Sequence, residues 1–139
     1  MTNVASLAAL IGRVLIAYVF VSAGLAKLGD IPGSMAYTAS GGLPGFFAIP
    51  ALALEILGGL AILVGWQTRA AAWALAAFAV VAGVLFHNIP AQSLEGMNAY
   101  VQILMFQKNL VIAGGLLVLG AFGPGALSLE ARQGRPALA

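Results

Sequence analysis

Residues Leu52 to Gly65 read LALEILGGLAILVG, and one carboxylate, Glu55, stands there among thirteen residues suited to hydrocarbon. The rest of the chain shares that bias. Of its 139 residues 62% are hydrophobic and 7% charged, and the mean hydropathy is +1.04. Such a composition has too little polar surface to coat a soluble globule, so the chain belongs in a membrane. A bilayer core takes about 20 mostly apolar residues per helix, which leaves room for about four spans with short connections in a single domain.

The quoted run is the second of four apolar segments, at about 7–27, 49–65, 70–87 and 100–122, followed by a tail at 123–139. The predicted fold is an all-α integral membrane four-helix bundle. The first segment superficially resembles a signal peptide, but it lacks a basic n-region and has Arg13 inside its apolar run, so it is read as a retained span. Between the first two spans, DIPGSMAYTASGGLPGFFAIP carries Pro and Gly residues that break helix and aromatics suited to an interface. It is read as the longest loop and a lid. Arg69, Arg132 and Arg135 gather on the side of the termini, with Arg13 nearest to it, whereas Lys27, Asp30 and Glu95 fall on the other. The positive-inside rule then places both termini in the cytoplasm of a bacterial inner-membrane, multi-pass protein.

In that orientation Glu55 lies about 9 Å inside its span and Lys108 about 12 Å inside its own, at 1.5 Å per residue. His87 and Lys27 sit near the outer ends of their helices. Four titratable groups from four helices thus converge on the outer half of the bundle. Facing lipid, each would cost roughly 2.5 to 3.5 kcal/mol, so they turn inward and find partners, with Glu55 and Lys108 as the expected pair. Gly58 and Gly59 follow Glu55 on its own helical face and admit a close neighbour. Arg13, Phe20 and Lys27 recur every seven residues on one stripe, with Ala17, Ala23 and Gly24 between them. Gln102 and Asn109 flank Lys108 and complete a polar chamber in the fourth span.

Plainer readings stand beside these. An intramembrane ion pair fixes helix register without any ligand. Arg13 either caps the cytoplasmic end of the network or snorkels. Lys27 beside Asp30 reads equally as an interfacial anchor, and His87 as a solvated helix end or as the proton carrier that titrates near neutrality. The tail charges read as a solvated cytoplasmic face. The chain has no cysteine, which excludes disulfides, thiolate metal sites and CxxC exchange. One His and few carboxylates give no recognised ligand spacing, so no metal is expected. A net charge of +2 from so few groups offers no nucleic-acid surface.

Taken in order, Arg13 with FVSAGLAKL, LEILGGLAILVGWQTR, the helix ending in FHN, QKNLVIAGGLL and the closing FGPGALSLE resemble the DoxX family of small bacterial inner-membrane proteins. The resemblance spans almost the whole chain; Glu130 stands where an Asp is common. It implies a four-helix membrane bundle and a setting of quinones and oxidative stress. Relatives include the membrane subunit of a thiosulfate:quinone oxidoreductase, a partner of superoxide-detoxifying and sulfur-transfer proteins, and proteins linked to catechol or hydroquinone resistance. Three readings follow. The first is a redox-associated subunit with a periplasm-facing pocket for a quinone or a small sulfur oxyanion. The second is a non-catalytic scaffold that anchors soluble redox or sulfur-transfer enzymes and has no cavity. The third is a small permease, which needs a continuous polar path that the apolar cytoplasmic halves of the spans do not offer. The many Gly and Ala residues leave room for a homo-oligomer.

Overall fold

The computed structural model describes residues 3–134 and is helical throughout, without strands among the described residues. Arg135 and the rest of the tail lie outside the described residues. Helix α1, Asn3–Gly29, is followed by α2, Ile31–Ser40. A 3-10 turn at Gly45–Phe47 leads into α3, Ala48–Val64. Helix α4, Thr68–Gly83, runs through a π turn at Val84–Asn88 into a last short piece, α5, Ile89–Ala91. Helix α6 is Gly96–Phe122, and α7, Leu129–Arg132, closes the chain. The stretches Asn3–Gly29, Gly45–Val64, Thr68–Ala91 and Gly96–Phe122 are each long and apolar enough to cross a bilayer.

Two of these elements differ from the sequence reading. The connection after α1 is not a loop, because Pro32 falls in the first turn of α2, where a missing N–H removes no helical bond. The Asp30 carboxylate caps that turn by accepting the Gly33 N–H at 2.9 Å. Nor does the third span stop at His87. Pro90 cannot donate to the carbonyl one turn back, and the helix absorbs this by widening: the Ile89 N–H donates to Val84 O, five residues earlier. The helical path then continues to Ala91.

The bundle is two antiparallel helix pairs, α1 on α3 and α4 on α6, joined by a slighter α3–α4 contact. In α1 the buried face is Ser6, Arg13, Ala17, Phe20 and Gly24. In α3 it is Ala48, Leu52, Glu55, Gly58, Gly59 and Ile62. Glycine sets the closeness of this pair. A Cβ on Gly24 would lie 2.6 Å from Ile56 Cγ1 and 3.2 Å from Glu55 Cβ, and one on Gly59 would lie 2.8 Å from Val21 Cγ2. The central core is built from Ala17, Phe20, Ile62, Ala72, Leu75, Ala76, Ala79, Ala113 and Leu116. Most of it fills the half of the bundle toward the termini.

That end is locked by two arginines. Arg13 is 2% exposed, and its guanidinium donates to the carbonyls of Pro124 at 2.8 Å, Leu127 at 2.8 Å and Leu63 at 3.3 Å. Arg69 donates to Ala121 O at 2.6 Å and Gly120 O at 3.3 Å, satisfying last-turn carbonyls of α6. The tail therefore does not simply trail into solvent. Glu130 accepts the Thr68 N–H at 2.7 Å, its own N–H donates to Gly65 O at 3.0 Å, and Ser128 caps α7 by accepting the Ala131 N–H. Gly65 ends α3 in the left-handed region at φ 71°, where a β-carbon would also run into Ser128. Arg132 is exposed, as a solvated charge should be.

Candidate functional site

Away from the termini the two helix pairs part and leave a cavity of about 440 Å³. Its wall is mostly carbon: Phe20, Phe47, Leu54, Phe78, Leu85, Phe86 and Ile112 among others. The polar groups on it are few. They are Lys27 from α1, Tyr37 and Thr38 from α2, Glu55 from α3, His87 from the π turn, and Lys108 and Asn109 from α6.

Glu55 is 4% exposed, and the partner of its carboxylate is Lys27, not Lys108. Lys27 Nζ donates to both carboxylate oxygens at 2.8 Å. The reason lies in α1–α3 packing. Gly24 brings α1 against the backbone of α3 beside Glu55, and Lys27 lies one turn further along the same stripe. Side chains on a helix lean toward its N-terminus, so the lysine stem runs back over Gly24 to the carboxylate. Lys27 is thus neither an interfacial anchor nor a partner of Asp30, whose carboxylate caps α2.

Lys108 lines the same cavity without a carboxylate. Its Nζ has Met105 Sδ at 3.5 Å in its own helix, and the one salt bridge among the described residues is that of Lys27 with Glu55. Asn109 donates Nδ2–H to Met105 O at 3.2 Å. The His87 ring is held, not freely solvated: Nδ1 lies 2.7 Å from Gln102 Oε1. Because that oxygen only accepts, Nδ1 carries the hydrogen in this pairing and Nε2 is left for other partners. Gln102 reaches the site only through this bond and does not line the cavity. Arg13 takes no part: it lies about 21 Å along α1 from Lys27, at 1.5 Å per residue, and is engaged by the tail carbonyls.

Sequence reasoning expected a lid between the first two spans but read it as a loop, whereas this roof is a helix. Helix α2 lies over the cavity mouth, where Tyr37 stacks on Phe86 with centroids 4.8 Å apart and planes 20° from parallel. A β-carbon on Gly41 would meet the Phe86 ring directly. Partial burial pushes the Tyr37 phenol above its ordinary pKa, so it stays a neutral O–H at physiological pH. The available signal was Asp30-Ile31-Pro32, a cap residue followed by a proline fit for a first turn.

Among known proteins, the family model described as DoxX matches residues 8–88, more than half of the chain. The chain belongs to the DoxX family. It is 41% identical over 121 residues to Inner membrane protein YqjF of Escherichia coli (strain K12), covering 87% of this chain and 88% of that protein. It is 31% identical over 125 residues to Inner membrane protein YphA of the same organism, with 88% of each chain covered. No solved structure matches it. These relatives and the four apolar helices make this DoxX-family chain a multi-pass inner-membrane protein in contact with the lipid bilayer. The matched DoxX segment contains Arg13, Lys27, Glu55 and His87, whereas Lys108 and Asn109 lie beyond it.

Proposed function

We propose that this protein is a redox-associated inner-membrane subunit whose cavity holds the ring of a quinone. The observation that carries the reading is a cavity of about 440 Å³ with an aromatic and aliphatic wall and a free ammonium, Lys108, set into it. Ligand sites are mostly apolar concavities of about 300 to 1,000 Å³ with a few placed polar groups. The donor set suits a quinone: a flat apolar ring fits the carbon wall, and its carbonyl oxygens need donors. Lys27 is committed to Glu55, so Lys108 is the first donor available, with Asn109 beside it. A bound quinone would supply two-electron, two-proton redox chemistry. The chain has no cysteine, so electrons would arrive through another molecule or a redox partner protein.

The chain's own residues orient and protonate. Lys108 would fix one ring oxygen by a charge-assisted hydrogen bond. His87, oriented by Gln102, would exchange a proton at Nε2. The Lys27–Glu55 pair keeps the α1 and α3 sides of the cavity in register, and α2 limits access of water. A small, strongly hydrated sulfur oxyanion fits less well, because the wall offers it few donors to replace water. A permease would need polar groups through the other half, where Ala17, Ile62, Leu75 and Leu116 are packed. With Arg69 and Arg132 at the end shared by the termini, the positive-inside rule favours a cavity that faces the periplasm.

The test is mass spectrometry of small molecules that copurify with the protein in mild detergent, joined to thermal melts with a short-chain quinone. A reproducible quinone and an upward melting shift are expected. A cavity that copurifies with no quinone and a melting temperature indifferent to added quinone would leave the non-catalytic scaffold in its place.

A further inference from the structure

The charge balance of the cavity narrows what it accepts. Lys27 and Glu55 cancel, since the ammonium donates to both carboxylate oxygens at 2.8 Å. His87 faces the neutral amide of Gln102. One full charge on the wall is then left without a counter-charge among the described residues, and it is the Lys108 ammonium, touching only a thioether sulfur. Along α6 it lies about 18 Å from the helix start and about 21 Å from its end at 1.5 Å per residue, near the middle of the span. A lysine at that depth cannot carry its ammonium to either interface.

We infer that the cavity selects an anion of one particular kind: a flat aromatic ring bearing a single ionised oxygen, such as a phenolate or an ionised hydroquinone. This deepens the quinone reading and rests on it only for the use of the same cavity. The oxygen sits on Lys108 Nζ and the ring lies against Phe20, Phe78 and Phe86. Lys108 is exposed on the surface of its helix, but at mid-span that surface adjoins hydrocarbon and the open cavity, so an entering anion meets a cation already short of hydration. In a wall of such low polarity the attraction is strong, and a neutral ring of the same shape gains only a hydrogen bond. An inorganic anion is disfavoured because the carbon wall would strip its hydration and return one donor.

The experiment compares 4-nitrophenolate, at a pH where the phenol is fully ionised, with its methyl ether 4-nitroanisole, which has the same ring and cannot ionise. Both are titrated into the full chain in mild detergent, with binding read by equilibrium dialysis. The phenolate is expected to bind about tenfold more tightly or better than the ether. Lys108→Met should bring the two to parity, and Lys108→Arg should keep the preference. Equal binding to the wild-type chain, or a preference that survives Lys108→Met, overturns the inference. The wild-type comparison decides the matter even where a variant folds poorly. Failure of the quinone reading is separately visible: a short-chain quinone that raises the melting temperature beside equal phenolate and ether binding leaves that reading standing without anion selection. Phenolate preference with an inert quinone does the reverse.

Discussion

The two ends of the bundle treat buried charge in opposite ways. At the end of the termini, the Arg13 guanidinium is answered by the carbonyls of Pro124, Leu127 and Leu63, and Arg69 by those of Ala121 and Gly120. These acceptors belong to the chain's own backbone, and the space around them is filled by small and branched side chains. At the other end a lysine is answered by a carboxylate, a second lysine is left with a thioether, and both border open space. Neutral backbone acceptors cannot be displaced without unfolding something. A free ammonium on a cavity wall can take a partner from outside at no structural cost. The first arrangement suits closure, the second exchange.

The largest effect should come from the closed end. Arg13→Met leaves two short hydrogen bonds unmade and their carbonyls inside the protein, and the expected loss is about 3 kcal/mol or more. Thermal melts in detergent give the size. Faster trypsin cleavage after Arg132, as α7 detaches from the α3–α4 turn, gives the location. A variant that melts like wild type with its tail protected would erase the contrast between the ends.

At the cavity end, Glu55→Gln strands the Lys27 ammonium. Because the lysine side chain is 29% exposed, the expected loss is discounted to about 1–3 kcal/mol. Joint replacement, Lys27→Met with Glu55→Leu, should recover part of it. Lys108→Met should leave the melting temperature unchanged or raise it, since it removes an unpaired charge from hydrocarbon. Were Lys108→Met to melt as early as Glu55→Gln while Lys27→Met held, the partner of Glu55 would be Lys108 and not Lys27.

The helix contacts separate in the same manner. Gly24→Ala places a methyl 2.6 Å from Ile56 Cγ1 and 3.1 Å from Leu52 O, backbone that cannot move aside, at an expected cost of about 1–3 kcal/mol. Gly114→Ala in α6 meets no atom within 4 Å among the described residues, so it should be neutral or stabilising by up to about 1 kcal/mol. Equal melting temperatures for the two variants would remove the close α1–α3 approach from the account of how Lys27 finds Glu55.

What the sequence revealed follows from which interactions are local. Four spans were legible because hydropathy is a property of consecutive residues, and the small face beside Glu55 because Gly58 and Gly59 share its helical side. The choice between Lys27 and Lys108 was not legible, for it depends on how far one antiparallel helix slides along another, which Gly24 decides through a contact 28 residues away in sequence from Leu52 to within the same turn as Glu55. Arg13 was readable as structural, but its acceptors are more than a hundred residues distant, 111 to Pro124 and 114 to Leu127. The lid was legible but its helix was not, because Pro32 and Gly33 look like helix breakers unless Asp30 is read as the cap.

The smallest effect on stability should be the most informative about access. Gly41 ends α2 at φ −84°, a backbone that alanine adopts without strain, so Gly41→Ala tests the space at that point and little else. The added methyl meets the Phe86 ring, which can swing away, but only by giving up its stack on Tyr37, a contact worth about 0.5–1.5 kcal/mol. That loss is confined to the roof. The core on the side of the termini does not touch it, and the melting temperature should scarcely move. Helix α2 should nonetheless loosen, so that amide hydrogens of residues 31–41 exchange faster while those of α1 and α3 keep their protection. If the roof governs access, dissociation of a bound short-chain quinone should quicken several-fold in step with that exchange. Faster exchange with unchanged dissociation would mean that ligands leave sideways between the helix pairs, past Val19 and Val81, and that α2 covers the cavity without gating it.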